Sequence, residues 1–136
     1  LIYIDTNVII SYIDEADPNH GGALKLVEGL SGDRVVSRLT LAELVSVYSR
    51  AGLEEPLPLA MYSLKRIKAK IVEVDFNEIL RIAIVKAPIL KLKTLDLLHI
   101  ITCKVAGCVE FATLDSSIIG RSEVIGGELG IRVVGY

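Results

Sequence analysis

Four carboxylates, Asp5, Glu43, Asp96 and Asp115, stand where they could act together. Asp5 follows the apolar run Leu1 to Ile4. As a strand buried on both faces, that run delivers Asp5 to a carboxyl end, where open α/β sheets bind ligands. Asp115 follows a second such run, Glu110 to Leu114, while Glu43 and Asp96 fall in the first turns of predicted helices. Each acid also has a simpler job open to it. Asp5 can cap the helix that begins near Asn7, and Glu43 can close a Thr40-x-x-Glu43 capping box. Asp96 can complement a helix dipole, an effect of about 0.3–1 kcal/mol, and Asp115 can cap a turn into Ser116 and Ser117. Gathered in one cleft, however, the four would raise each other's pKa unless a cation sat among them. An all-oxygen donor set favours Mg²⁺ or Mn²⁺ over zinc. Ions held this way stabilise the oxygens of an in-line phosphoryl displacement. The chemistry is that of phosphodiester hydrolysis.

Positioning these acids falls to elements that alternate along the chain. After the strand Leu1 to Ile4, helices are predicted over Asn7 to Asp14 and from about His20 to Leu30, where Ala23, Leu24, Val27 and Leu30 recur at helical spacing. Arg34 to Ser37 reads as a strand, and a helix capped by Thr40 runs to about Ala51. The Pro-containing segment Glu54 to Pro58 breaks the pattern before a helix from Leu57 to Lys70 that carries Lys65, Arg66, Lys68 and Lys70. Ile71 to Asp75 alternates as a strand, Asp75 opens a helix that Pro88 stops, and a basic loop, Lys86 to Lys93, follows. Thr94 then caps a helix to about Ala106, with strands at Glu110 to Leu114 and Ile131 to Val134. Strands alternating with helices imply right-handed crossovers, hence a three-layer α/β/α sandwich around a mostly parallel sheet.

Other chemistry-bearing residues carry weaker signals. Asp75 ends a strand too, but its Asp-x-x-Glu pattern assigns it to helix capping. His99 lies three residues after Asp96, on a similar helical face, and reads as a packed histidine with a hydrogen bond to the acids as the alternative. His20 has no identifiable partner. Cys103 and Cys108 lack metal-ligand spacing and read as buried thiols. With 136 residues, 51% apolar and 24% charged, the chain suits one globular domain, residues 1–136, with a real core. A net charge of −2 argues against holding nucleic acid by bulk positive charge. No apolar run approaches the ~20 residues of a membrane span, and Leu1 to Ile4 is too short for a signal peptide, so a cytoplasmic protein is expected. A receiver-like phospho-acceptor domain would need a paired acid after the first strand and a lysine after the last. Asp5 is followed by Thr6, and Arg132 to Tyr136 holds no lysine.

Four segments, YIDTNVII, VVSRLTLAEL, TLDLLHIITC and EFATLDSSI, resemble in order and spacing the four acidic blocks of PIN-domain ribonucleases. The similarity is strongest to the small VapC-type toxins of toxin–antitoxin pairs, and it spans nearly the whole chain. It implies strand order 3-2-1-4-5, with Asp5 and Asp115 on adjacent central strands. It also implies a divalent-metal site, Mg²⁺ or Mn²⁺, made by Asp5, Glu43, Asp96 and Asp115, with Thr6, Asn7 and Thr113 in support. The implied activity is metal-dependent RNA cleavage. The implied partners are an RNA substrate, an antitoxin protein and a second copy of the chain, for which the helix from Leu57 to Lys70 has apolar residues to spare. A stand-alone RNA-processing nuclease and a catalytically idle RNA- or protein-binding module are the alternatives. Arg38, Lys91, Lys93 and Arg121 fall near the proposed edge and are the candidate contacts for RNA phosphates.

Overall fold

A computed structural model describes residues 1–136. Five short strands form one parallel sheet: β1 (Ile2–Ile4), β2 (Arg34–Val36), β3 (Ala69–Ile71), β4 (Glu110–Ala112) and β5 (Arg132–Val134), in the order β3-β2-β1-β4-β5. Central β1 is buried at every position. Alternation along it sends Tyr3 to one face and Ile2 and Ile4 to the other. Tyr3, Val35, Phe111 and Ile131 therefore join one core, and Ile2, Ile4, Val36 and Ala112 join a second.

Each core is covered by a layer of four helices. Over the Ile2 and Ile4 face lie α1 (Thr6–Ile13), α2 (His20–Glu28), α3 (Arg38–Arg50) and α4 (Pro56–Arg66). Over the Tyr3 face lie α5 (Phe76–Leu90), α6 (Thr94–Val105), α7 (Ser116–Ile119) and α8 (Ser122–Leu129). Both the sandwich and the strand order are those expected from the sequence. No helix is long and apolar enough to cross a membrane.

Several boundaries differ from the sequence expectation, each for a local physical reason. Helix α3 begins at Arg38, not at Thr40, because Ser37 takes the cap: its hydroxyl accepts from the Leu39 N–H, and Thr40 supplies the return bond of the capping box. Glu43 consequently stands in the second turn with no capping duty. Helix α4 starts inside the proline segment, since Pro56 at its first position lacks only an N–H that needs no partner there. It ends at Arg66, and Lys68 turns left-handed at φ 58°, which leaves Lys68 and Lys70 off the helix. Strand β3 is Ala69–Ile71 rather than Ile71–Asp75, because it can pair only as far as three-residue β2 extends. Pro88 does not stop α5, so Lys86 is helical. Proline removes only the N–H that would meet Ile84, on a face where Ile84 is 75% exposed. Beyond it the Lys91 N–H reaches Ala87 O, and the Arg121 guanidinium caps the carbonyls of Leu90 and Ile89 at 3.0 and 3.4 Å. Helices α7 and α8 fall where no helix was expected.

Tyr3 and Phe111 stack at 5.6 Å between centroids and 8° between planes, with both fully buried. Phe111→Ala should therefore cost about 3–5 kcal/mol, read as a lower midpoint in denaturant unfolding. An unchanged midpoint would show that the central strands do not carry the core.

Candidate active site

The geometry begins at the carboxyl edge of β1 and β4. Pairing of Ile4 with Ala112 and the 2.9 Å bond from the Asp5 N–H to Ala112 O bring Asp5 and Thr113 side by side as both strands end. Asp5 is 4% exposed, which a carboxylate tolerates only when its oxygens are bonded. Its Oδ1 accepts from the Thr6 N–H at 2.9 Å, so it does cap α1. Its Oδ2 accepts from the Thr113 hydroxyl at 2.8 Å and the Asn7 amide at 3.2 Å. The Thr113 oxygen in turn accepts from the Asp115 N–H at 3.0 Å, and the Asn7 Oδ1 accepts from the Leu114 N–H at 3.2 Å. Thr113 and Asn7 thus tie the first acid to the loop that carries the last.

Glu43 and Asp96 approach from opposite helix layers. Glu43 Oε1 lies 2.9 Å from His99 Nε2, across the end of the sheet from α3 to α6. Asp96 sits in the first turn of α6, one turn before His99. Asp115 caps α7, its Oδ1 accepting from the Ser117 N–H at 2.9 Å and the Ser117 hydroxyl at 2.7 Å.

The electrostatics show which acids share a field. Burial pushes the Asp5 carboxyl up to about 6; His99, when protonated, and the Thr113 hydroxyl oppose the rise, and the charges of Asp96 and Glu43 add to it. Asp96 is also raised, by burial first and then by Asp115 and Glu43, against the pull of His99 and Lys93. Glu43 behaves differently. Burial would raise it, but the hydrogen bond from His99, with the Thr6 hydroxyl nearby, holds it below the usual range. Asp5, Glu43 and Asp96 therefore form one charged group, with Asp115 joined to it through Asp96 and Thr113.

A second observation bears on what this group could hold. Thr6 Oγ1 is buried without a hydrogen bond of ordinary geometry, and the acceptor it lies beside is the Glu43 carboxylate, whose charged form it favours. No three His, Cys, Asp or Glu side chains close into a ready-made coordination sphere. The donors are instead carboxylates, two of them with raised pKa values, beside the Thr6 hydroxyl. That chemistry fits a hard divalent cation, which neutralises the group on arrival.

Residues 2–121 match the PIN domain. The chain belongs to the PIN-domain family. No curated protein matches the sequence. Among solved structures, VapC20 of Mycobacterium tuberculosis, described as a sarcin-ricin loop cleaving toxin, is similar at TM-score 0.66 and 17% identity over 88% of this chain and 94% of that one. A toxin–antitoxin complex from Klebsiella pneumoniae gives 0.62 and 17% over 85% and 88%. VapBC2 of Rickettsia felis, bound to a DNA fragment from its promoter, gives 0.61 and 14% over 99% and 98%. At these identities the likeness is one of fold.

Around the acids of this PIN domain the candidate cations differ in what they already do. Arg121 caps α5, as described above, and Arg38 pairs with Glu73 at 3.1 Å on the surface. Lys91 is the exposed left-handed residue that ends α5. Lys93, rather than the expected Thr94, occupies the N-cap position of α6, without a side-chain capping bond, and its charge lowers Asp96. Asp75 caps α5 through the Asn77 N–H and is exposed, the structural role its pattern indicated. His20 finds its partner in Ser11 O at 2.8 Å, and both cysteines are buried and free. The residue that sequence reasoning set aside is His99, which is 1% exposed and uses both ring nitrogens. Its signal was the one-turn spacing from Asp96. Nothing in the sequence pointed to Glu43 on another helix.

Because the folded pKa of Asp5 is raised, the folded state binds its proton more tightly than the unfolded chain does. No penalty exists below about pH 4, and it grows as pH rises through about 6, reaching at most about 3 kcal/mol. In chelator, Asp5→Asn should therefore gain stability relative to the parent as pH rises from about 4 to 7. Its lost hydrogen bonds act as a constant offset. Thermal melts across pH measure this, and a pH-independent difference would contradict it.

Proposed function

We propose that this PIN domain is a divalent-metal-dependent endoribonuclease acting as the toxin of a toxin–antitoxin pair. PIN domains are generally nucleases, and the observation that carries the finer reading is the carboxylate group at the sheet edge, in which Asp5 and Asp96 are both raised and both feel Glu43. In this reading Asp5, Glu43, Asp96 and Asp115 hold Mg²⁺ or Mn²⁺ at the sheet edge. When bound, the ion supplies Lewis-acid stabilisation for the charge that develops on the phosphate oxygens. Thr113 and Asn7 fix the Asp5 carboxylate so that its oxygens need no reorganisation during reaction. Lys93 holds a substrate phosphate beside Asp96, with Lys91, Arg38 and Arg121 flanking the path of a single strand. Five tyrosines, two phenylalanines and no tryptophan leave little for base stacking, which suits recognition of backbone shape.

An antitoxin partner is supported by the toxin–antitoxin complexes among the similar structures. A second copy of the chain is supported by α5, where Leu80, Ile84, Val85 and Ile89 form an exposed apolar face. Antiparallel two-fold pairing centred between Ile84 and Val85 sets Leu80 opposite Ile89 and Glu78 opposite Lys91, with Arg81 opposite Pro88 in the middle of the face.

Cleavage of a mixed RNA panel should require Mg²⁺ or Mn²⁺ and fall at least about 100-fold in Asp5→Asn and Asp96→Asn. Activity persisting in EDTA, or unchanged in either variant, would refute the metal nuclease. If all RNA is left intact but still bound, the idle module replaces it. A short reading frame beside the gene, whose product blocks cleavage, separates the toxin from a stand-alone nuclease. For the dimer, light scattering should show two copies in the parent and one in Ile84→Glu; an unchanged mass in the variant would rule out the α5 face.

A further inference from the structure

Glu43 differs from Asp5 and Asp115 in how it is held. Asp5 is tied to Thr6, Asn7 and Thr113 and Asp115 to the helix it caps, whereas Glu43 has a long side chain, a quarter exposed, whose one short hydrogen bond is the bridge to His99, with the Thr6 hydroxyl nearby. Without that bond its carboxylate would be free to rotate over the edge of the sheet. His99 cannot swing either. Its other nitrogen, Nδ1, lies 2.9 Å from the Tyr3 hydroxyl, beneath β1. That hydroxyl also meets Ser37 Oγ at 2.9 Å and Thr40 Oγ1 at 3.1 Å.

One set of bond directions uses every donor in this cluster once. An ionised Glu43 only accepts, so His99 Nε2 carries a proton. Ser37 Oγ already accepts from the Leu39 N–H and Thr40 Oγ1 from the Ser37 N–H. Their own protons are therefore free to point at the Tyr3 oxygen. Tyr3 then gives its proton to Nδ1, and every donor in the set is used once with the ring neutral. The start of α3, which presents Glu43, is thus linked through Tyr3 and His99 back to Glu43 itself, two turns further along the same helix. With Oε1 engaged by the ring, Oε2 is the freer of the two carboxylate oxygens.

We propose that His99 is a positioning residue for Glu43, locked by the Tyr3 hydroxyl into its Nε2–H tautomer so that one carboxylate oxygen is presented to the ion site. The role rests on the reading of Glu43 as an ion ligand. Neither His99 nor Tyr3 touches the substrate or the ion; each acts through Glu43, as partners behind metal ligands commonly do.

Two measurements on the full chain test this. Nitrogen-15 NMR of the parent should show His99 protonated at Nε2 and bare at Nδ1, and Tyr3→Phe, which keeps the stack on Phe111, should move the Nδ1 resonance. Calorimetric Mn²⁺ binding should weaken about 10–100-fold in His99→Asn, which leaves no donor at the Nε2 position. His99→Gln, whose amide reaches that position, should recover part of the loss, and Tyr3→Phe should fall between. A parent ring protonated only at Nδ1 overturns the proposal without any variant, so a misfolded His99→Asn does not protect it. Parent-like Mn²⁺ binding in folded His99→Asn and Tyr3→Phe also overturns it, and leaves the four-carboxylate reading standing. A parent that binds no Mn²⁺ overturns that reading and this proposal together.

Discussion

Burial of a single carboxylate at the end of the central strand is the constraint around which this molecule is arranged. A parallel strand flanked on both sides and covered on both faces has nowhere dry to hide a charge except in a full set of hydrogen bonds. Asp5 has that set, from the Thr6 backbone, the Asn7 amide and the Thr113 hydroxyl. Its pKa still rises to about 6, burial being the largest cause. The residual strain is electrostatic, and a cation relieves it in a way that further hydrogen bonds cannot.

From that constraint the division of labour among the acids follows. Asp5 and Asp96 resist ionisation, while the His99 bond holds Glu43 in the charged form. A group with one committed anion and two reluctant ones is poised to accept positive charge. The same bond joins the two helix layers, because Glu43 belongs to the layer over Ile2 and Ile4, and His99 to the layer over Tyr3. Capping and chemistry are not rivals in this molecule. Asp5 and Asp115 each cap a helix and each still act by charge on Asp96, which in turn acts on Asp5.

Much of the fold was legible in the sequence because it rests on local and periodic rules. Buried runs of β-branched residues mark strands, and their alternation with helical spacing fixes a parallel sheet with two helix layers. Boundaries were less legible where two local signals competed. Thr40-x-x-Glu43 offers a good capping box, but Ser37 offers a cap three residues earlier and wins because Arg38 and Leu39 are willing helix formers. Pro88 reads as a stop, yet an exposed helix end tolerates it when Arg121, distant in sequence, caps the carbonyls beyond. Helices α7 and α8 are short and glycine-containing, so their periodicity is too brief to see.

For the site, the sequence by itself determined which residue types are present, which acids end strands or begin helices, and hence that Asp5, Glu43, Asp96 and Asp115 are the carboxylates to watch. The ordered acidic blocks carried the family as well. Only the tertiary structure decided that Glu43 hangs from His99, that Tyr3 anchors His99 from the strand beneath, and that Arg121 is already engaged with the end of α5. The reason is physical: capping and periodicity act over a few residues and leave a mark in spacing. A hydrogen bond spanning 56 or 96 residues of chain leaves none until the sheet brings its ends together.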